Sequence, residues 1–276
     1  MLYVAAGLAA MFGVLAVIGL GAIDQATQLV FQERLATAYT TAGILERDLG
    51  RAGHDAVEGS SGTGGSAGPG TAAALLRHFD EVSPYLFFRV TGVWLIDASG
   101  RIADVAGSPE TPGPGDVTEL VRDVSAGSVG AYVVGRALGP VPGAVPFAAI
   151  AVRLPDAGTG ERFAVIHTVS INGTSDYDPQ TYGSVPGSAS PNPAATIAHG
   201  ATGYHLEVVD PTGIAVLGIG SDERPGEPSH HFPAIRPLVA SGGAAAMIHQ
   251  PDAVGSLEPH VMAVVPLAGS PFYVVL

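Results

Sequence analysis

The 276-residue chain contains no cysteine and no lysine. Without cysteine there is neither a disulfide framework nor a thiolate metal site. Positive charge rests on twelve arginines against 25 acidic residues, a formal net charge of −13. A chain of that sign lacks the main electrostatic term for holding a polyanion, so no nucleic-acid partner is expected. Charge is missing altogether from residues 1–23, MLYVAAGLAAMFGVLAVIGLGAI. At about 1.5 Å per residue this segment spans roughly 35 Å as a helix, enough for a hydrocarbon core of about 30 Å. It is too long for a cleaved signal peptide and has no basic start. Residues 1–23 are therefore expected to form a transmembrane helix. No charged flank precedes them, so the positive-inside rule assigns no orientation, and a true start further upstream is expected.

Apolar residues make up 47% of the chain, which also carries 38 Gly and 22 Pro. That balance predicts short strands and many turns rather than a helical bundle. After the apolar span, Leu35, Ala38, Ala42, Leu45 and Leu49 recur at spacings of three and four, one stripe of a helix. A stalk helix is expected over 24–58, with Asp24 as its N-cap and Gly50 or Gly53 near its end. The run GSSGTGGSAGPG, Gly59 to Gly70, reads as a flexible loop. A short helix in TAAALLRHFDEV follows, then strands at 86–90, 93–97 and 101–105. DVTELVRDVSAG has helical spacing, and AYVVGRAL, PFAAIAVRL and FAVIHTVSI read as strands. Residues 176–200 are dominated by Pro, Ser, Gly and Asn and mark a linker.

Beyond that linker the order repeats. VWLIDASGRIADVAG, Val93 to Gly107, is echoed by LEVVDPTGIAVLGIG, Leu206 to Gly220, with Asp97 recurring as Asp210 and Gly100 as Gly213. FPAIRPLVASGG then reads as a helix, and AAAMIH, HVMAVVPLAG and FYVVL as three strands. Segments repeated in one order, with offsets that drift only with loop length, indicate two copies of one supersecondary unit. The Asp-x-x-Gly element is a turn device: Asp accepts from its own backbone and Gly takes up positive φ.

Hairpin, helix and three antiparallel strands, written twice behind one apolar span and one long helix, resemble the double Cache family of extracytoplasmic sensor domains. The resemblance rests on VWLIDASGRIADVAG, AIAVRLPDAGTGERFAVIHTVSI and the ending MAVVPLAGSPFYVVL. It implies an α+β (α/β) fold: a long N-terminal helix followed by two PAS-like units, each a mostly antiparallel sheet flanked by helices. It places a membrane-distal unit at 71–175 and a membrane-proximal unit at 201–276. It further implies ligand sensing for a histidine kinase, chemoreceptor or cyclic-dinucleotide enzyme, no catalysis within 1–276, and a second span with an output module to follow; the stalk stripe itself reads either as a face packed on its own domain or as the seam of a homodimer through the long helix. The small molecule would sit in the distal unit, facing Trp94, Tyr132, Arg136, Arg153, His167 and Asp176, with Asp178 beside the last. An arginine there could clamp a carboxylate, and Trp94 or Tyr132 could form an apolar wall. The stretch GSPETPGPGDVTELV lacks the Arg-x-Trp-Tyr of amino-acid-binding members, so an α-amino acid is not the expected ligand.

Other chemistry is set aside on context. GTGGSAGPG has no preceding strand and cannot be a nucleophile elbow, and neither GLGAID nor GIGSD opens a helix after a strand as a dinucleotide fingerprint must. His230-His231, His199 with His205, and His249 with His260 invite a metal site, but His230 and His231, read as strand neighbours, would point to opposite faces, and no His-Glu-x-x-His pattern or carboxylate–His cluster with ligand spacing appears. No metal and no cofactor are expected. The competing functional readings are an ectodomain that binds a structural partner, and, further off, an anchored hydrolase.

Overall fold

The computed structural model describes residues 2–62, 70–82, 85, 87–107, 117–137, 147–156, 160–170, 206–219, 226–250 and 259–276. Its first element is one uninterrupted helix, α1, Leu2–Gly62. At about 1.5 Å per residue its 61 residues reach roughly 90 Å. Neither expected boundary falls where the sequence reading put it. Asp24 does not cap a helix start; its carboxylate accepts from Gln28 Nε2 one turn on, at 3.2 Å. Gly50 and Gly53 do not end the helix, and α1 runs past 58 to Gly62. A Cβ at Gly50 would lie 3.2 Å from the Tyr132 hydroxyl, and one at Gly53 3.3 Å from Tyr132 Cβ. These glycines serve the approach of a neighbouring strand rather than termination.

Two regimes follow one another along α1. From Ala10 to Ile23 every residue is exposed, including Phe12, Val17, Leu20 and Ile23. This part is long and apolar enough to cross a membrane. Further on, Ala38, Ala42, Leu45, Leu49, Ala52 and Ala56 are buried, spaced three, four and seven apart as one face of a helix requires. The next helix, α2 (Thr71–Glu81), buries Leu75 and Phe79. It meets α1 at Gly59, where a Cβ would stand 2.6 Å from His78 and 2.7 Å from Leu75. Gly59 to Gly62 thus belong to the helix and not to the expected loop.

The first sheet contains β1 (Phe88–Asp97), β2 (Ile102–Gly107), β3 (Tyr132–Ala137), β4 (Phe147–Leu154) and β5 (Arg162–Ser170), with α3 (Thr118–Ser125) between β2 and β3. The two segments expected at 86–90 and 93–97 form one strand with an irregularity between Val90 and Gly92. The second sheet contains β6 (Leu206–Val209), β7 (Ala215–Ile219), β8 (Ala245–His249), β9 (His260–Pro266) and β10 (Tyr273–Val275), with α4 (Phe232–Ser241) between β7 and β8. The sheets have the same order, β2-β1-β5-β4-β3 and β7-β6-β10-β9-β8, with every pairing antiparallel. The fold is α+β: a long helix and two PAS-like five-stranded units.

The repeated turn is reproduced to the level of single hydrogen bonds. Asp97 Oδ1 accepts from Ser99 N at 2.9 Å and Arg101 N at 3.0 Å; Asp210 Oδ1 accepts from Thr212 N at 2.8 Å and Ile214 N at 3.0 Å. Gly100 and Gly213 close the two turns at φ 79° and 90°, where a side chain would be strained. The Ser99 hydroxyl, followed by backbone and Arg101 donors, holds the Asp97 carboxyl down at about 2.

Both sheets lay one face on α1. Val93, Leu95, Ile150 and Ile166 of the first join Val208, Val265 and Val274 of the second and the α1 stripe in a single core. On its other face each sheet carries its own short helix: α3 over Trp94, Ile96, Phe163 and Val165, and α4 over Val209, Met262, Val264 and Val275. This layering decides which side chains can share a site.

Candidate functional site

Strand alternation sorts the side chains of the first unit between its two faces. Trp94 of β1 and His167 of β5 lie on the α3 face, with ring centroids 6.0 Å apart and planes tilted by 39°. Trp94 is fully buried and His167 is 2% exposed. Thr91, at the strand irregularity, brings its hydroxyl 2.5 Å from His167 Nδ1. Burial disfavours the imidazolium and brings the His167 pKa down to about 4. His167 is therefore a neutral, hydrogen-bonding group at physiological pH.

Arg153 of β4 stands on the same face. Its Nη1 donates to Ser125 O at 2.8 Å and to Gly127 O, and its Nη2 meets Glu161 Oε1 at 2.5 Å. A cation at the end of α3 complements the carbonyl end of that helix. Tyr132 lies on the opposite face, against Gly50 and Gly53 of α1. Arg136 sits in β3, an edge strand, in register with Ala148. Asp176 and Asp178 lie outside the described residues. The structure thus brings Trp94 and His167 together, places Arg153 on the same face four residues further along the ladder, and sets Tyr132 on the other face.

A cavity not anticipated from the sequence opens beside the first hairpin. It holds about 210 Å³ and is lined by Leu95, Ile96, Asp97, Ala103, Asp104, Glu161 and Arg162. Pockets that enclose drug-sized ligands run from roughly 300 to 1,000 Å³, so only a small molecule fits this one. Arg162 is 6% exposed. Its Nη2 donates to Pro155 O at 2.9 Å, while Nε and Nη1 meet no hydrogen-bond partner among the described residues. Arg162 precedes the apolar run FAVIHTVSI and opens β5. Only the register of β5 against β1 and β4, which pairs Arg162 with Asp97 and Leu154, places it in the cavity wall.

A second polar cluster lies in the other unit, among histidines that the sequence reading weighed as metal ligands and set aside. His230 and His231 lie in the turn before α4 and not on a strand, so the expectation that they diverge across a sheet does not apply. His231, His249 and His260 converge, with ligand atoms within 4.8 Å of one another. The sequence signal was the pairing of AAAMIH with HVMAVV, which sets His249 opposite His260.

No family model matches the chain, and no curated protein matches it. Among solved structures it is similar to the periplasmic sensory domain of the Campylobacter jejuni chemoreceptor Tlp1, at 12% identity and TM-score 0.49, over 90% of this chain and 94% of that one. It is similar to the ligand-binding domain of the Pseudomonas fluorescens chemoreceptor CtaA in complex with L-isoleucine, at 13% identity and TM-score 0.48, over 92% and 93%. A third likeness is the ligand-binding domain of the Pseudomonas aeruginosa PAO1 amino acid chemoreceptor PctC in complex with GABA, at 15% identity and TM-score 0.44, over 86% and 94%.

Proposed function

We propose that this chain is the extracytoplasmic ligand-sensing part of a membrane signal-transduction receptor, anchored by residues 1–23. The observation that carries the reading is the double use of α1. The same helix is exposed and apolar from Ala10 to Ile23, and from Ala38 to Ala56 forms the core shared by both sheets. A small molecule bound to the unit 71–175 changes how the first sheet packs on α1, and a continuous helix carries that change toward the membrane. It does so only by binding two packings with different affinity. The α3 face with Trp94, Arg153 and His167, and the cavity at Arg162, are the places where such a ligand meets polar groups. Tyr132, pressed on α1, reports the packing rather than the ligand. Arg136 and Asp176 remain proposed ligand residues. The chain pairs with a second copy along the stalk, where Leu29, Val30 and Tyr39 are exposed. No step of this mechanism needs a catalytic residue.

Two measurements test the reading. Because the chain has no cysteine, an Ala126→Cys variant gives a single thiol on the exposed end of α3. A membrane-impermeant maleimide should label it in intact cells, and labelling only after lysis would refute the extracytoplasmic assignment. A thermal-shift screen of the full chain in detergent, against organic acids, amines, purines and amino acids, tests ligand binding. A true ligand at 100-fold its dissociation constant adds about 2.7 kcal/mol. A partner-binding ectodomain is the second reading, favoured by Arg153, whose guanidinium is already engaged by three acceptors. It predicts no hit in that screen.

A further inference from the structure

We infer that the second unit binds a borderline divalent transition metal, zinc in the first instance, through His231, His249 and His260. His249 ends β8 and His260 begins β9, and the two stand directly opposite each other in the ladder. His231 arrives from the turn before α4, with ring centroids 5.0 Å from His249 and 5.5 Å from His260. His231 Nε2 and His260 Nε2 are 3.3 Å apart. Two imidazole nitrogens on a tetrahedral zinc, each about 2.0–2.1 Å from the ion, lie about 3.3–3.4 Å apart. Nitrogens of the three rings all fall within 4.8 Å, so a common ion requires only side-chain closure of about an ångström at His249.

The support behind the ligands matches the same chemistry. Glu207 of β6 is completely buried, and its Oε2 meets His231 Nδ1 at 3.3 Å and accepts from the Ser229 hydroxyl at 2.8 Å. A carboxylate on the far nitrogen of a ligating imidazole fixes its tautomer and raises its basicity. Glu207 Oε1 has no hydrogen-bond partner among the described residues. A buried carboxylate left with one unsatisfied oxygen is costly unless positive charge lies close by. A dication bound to His231 supplies that charge. His231 is fully buried and His249 6% exposed, while His260 is half-buried and leaves the fourth position on the open side. Imidazole ligands suit zinc, copper and nickel rather than magnesium or calcium.

The repeat sharpens the point. Trp94 pairs with Val105 in the first hairpin, and Glu207 pairs with Gly218 in the second. Glu207 thus occupies in the second unit the position that Trp94 holds in the first, on the face turned toward the unit's own short helix. One copy fills that place with an indole and the other with the carboxylate of a His cluster.

The test uses the full chain in detergent, stripped with a chelator and titrated with Zn²⁺ alone against a competing indicator at pH 7.5. One equivalent should bind per chain and raise the melting temperature. His249→Ala and His260→Gln should each weaken binding by at least about 100-fold, and Glu207→Gln by about 10–100-fold with the stoichiometry kept. Co²⁺ should give the visible absorption bands of a four-coordinate site in the wild type, and the His249 and His260 variants should lose them. His54→Ala, exposed on α1, is the control and should change nothing. Melting of the metal-free variants checks folding, and His260→Gln, at the half-buried position, gives the readout if His249→Ala unfolds. Zinc binding that is absent from the wild type, or equally tight in the His249 and His260 variants, overturns the assignment.

Discussion

The neutral, buried His167 makes the stability of the first unit depend on pH in a calculable way. Its pKa stands near 4 in the folded chain because burial penalises the imidazolium, against about 6.5 when the chain is unfolded. Between those values the unfolded state binds the extra proton, so stability rises with pH through the window. The contribution is complete above about pH 6.5 and is lost as pH falls toward 4. The difference between the folded and unfolded values corresponds to about 3 kcal/mol, of which about 2 kcal/mol is gone by pH 5. The perturbation is His167→Gln, which keeps a polar side chain near Thr91 and removes the titration. Urea unfolding of both chains at pH 7.5 and 5, followed through Trp94, reads the difference directly, because Trp94 is the only tryptophan and sits 6.0 Å from His167. All other groups are common to both chains, so their contributions cancel in the difference. The wild type should lose about 2 kcal/mol more than the variant between the two pH values. A difference that does not change with pH would refute the burial argument.

Leu45→Ala removes a 2%-exposed side chain from the core that both sheets share; it should cost about 2–5 kcal/mol and lower one cooperative unfolding transition for both units, as calorimetry can show. Gly59→Val drives a side chain into Leu75 and His78 and should cost about 1–3 kcal/mol, whereas Gly43→Ala, with nothing within 4 Å of its Cβ, should gain about 0.5–1 kcal/mol; equal effects in thermal melts would contradict the close α1–α2 approach. Val30→Cys, on the exposed stalk, should form an interchain disulfide in membranes under mild oxidation, and a chain that stays monomeric there would argue against pairing along α1.

The parts of this fold that could be read from the sequence are those with local causes. The Asp-x-x-Gly turns declare themselves because the carboxylate and the positive-φ glycine act within five residues, and the stripe from Leu35 to Leu49 because helical periodicity is a property of the segment alone. What could not be read depended on partners far along the chain. Gly50 and Gly53 look like helix ends until Tyr132 is found lying on them. Trp94 and Tyr132 look like two walls of one pocket until the alternation of β1 and β3 is referred to α1, which assigns them to opposite faces. His231, His249 and His260 carry no motif spacing, since a strand pairing and a turn assemble them. Arg162 reads as a strand-opening charge until its register sets it in the wall of a cavity.

The shared core has a consequence for how the two units communicate. The α1 stripe is rich in alanine at 38, 42, 52 and 56, so both sheets approach the helix axis closely and their apolar side chains meet in one packed layer. Such a layer transmits displacement, because it has few voids to absorb it. A ligand that changes the packing of the first sheet on α1 must therefore change the free energy of the second sheet too, and with it the geometry at Glu207 and His260. Linkage then requires symmetry: whatever factor a ligand in the first unit imposes on Zn²⁺ affinity, Zn²⁺ imposes on that ligand's affinity. Titrating each in the presence of the other measures the factor twice. Unequal factors would mean that the two binding equilibria do not belong to one folded chain, and a factor of one would mean that the common core is too stiff, or the ligand too indifferent to the packing, for α1 to carry a signal.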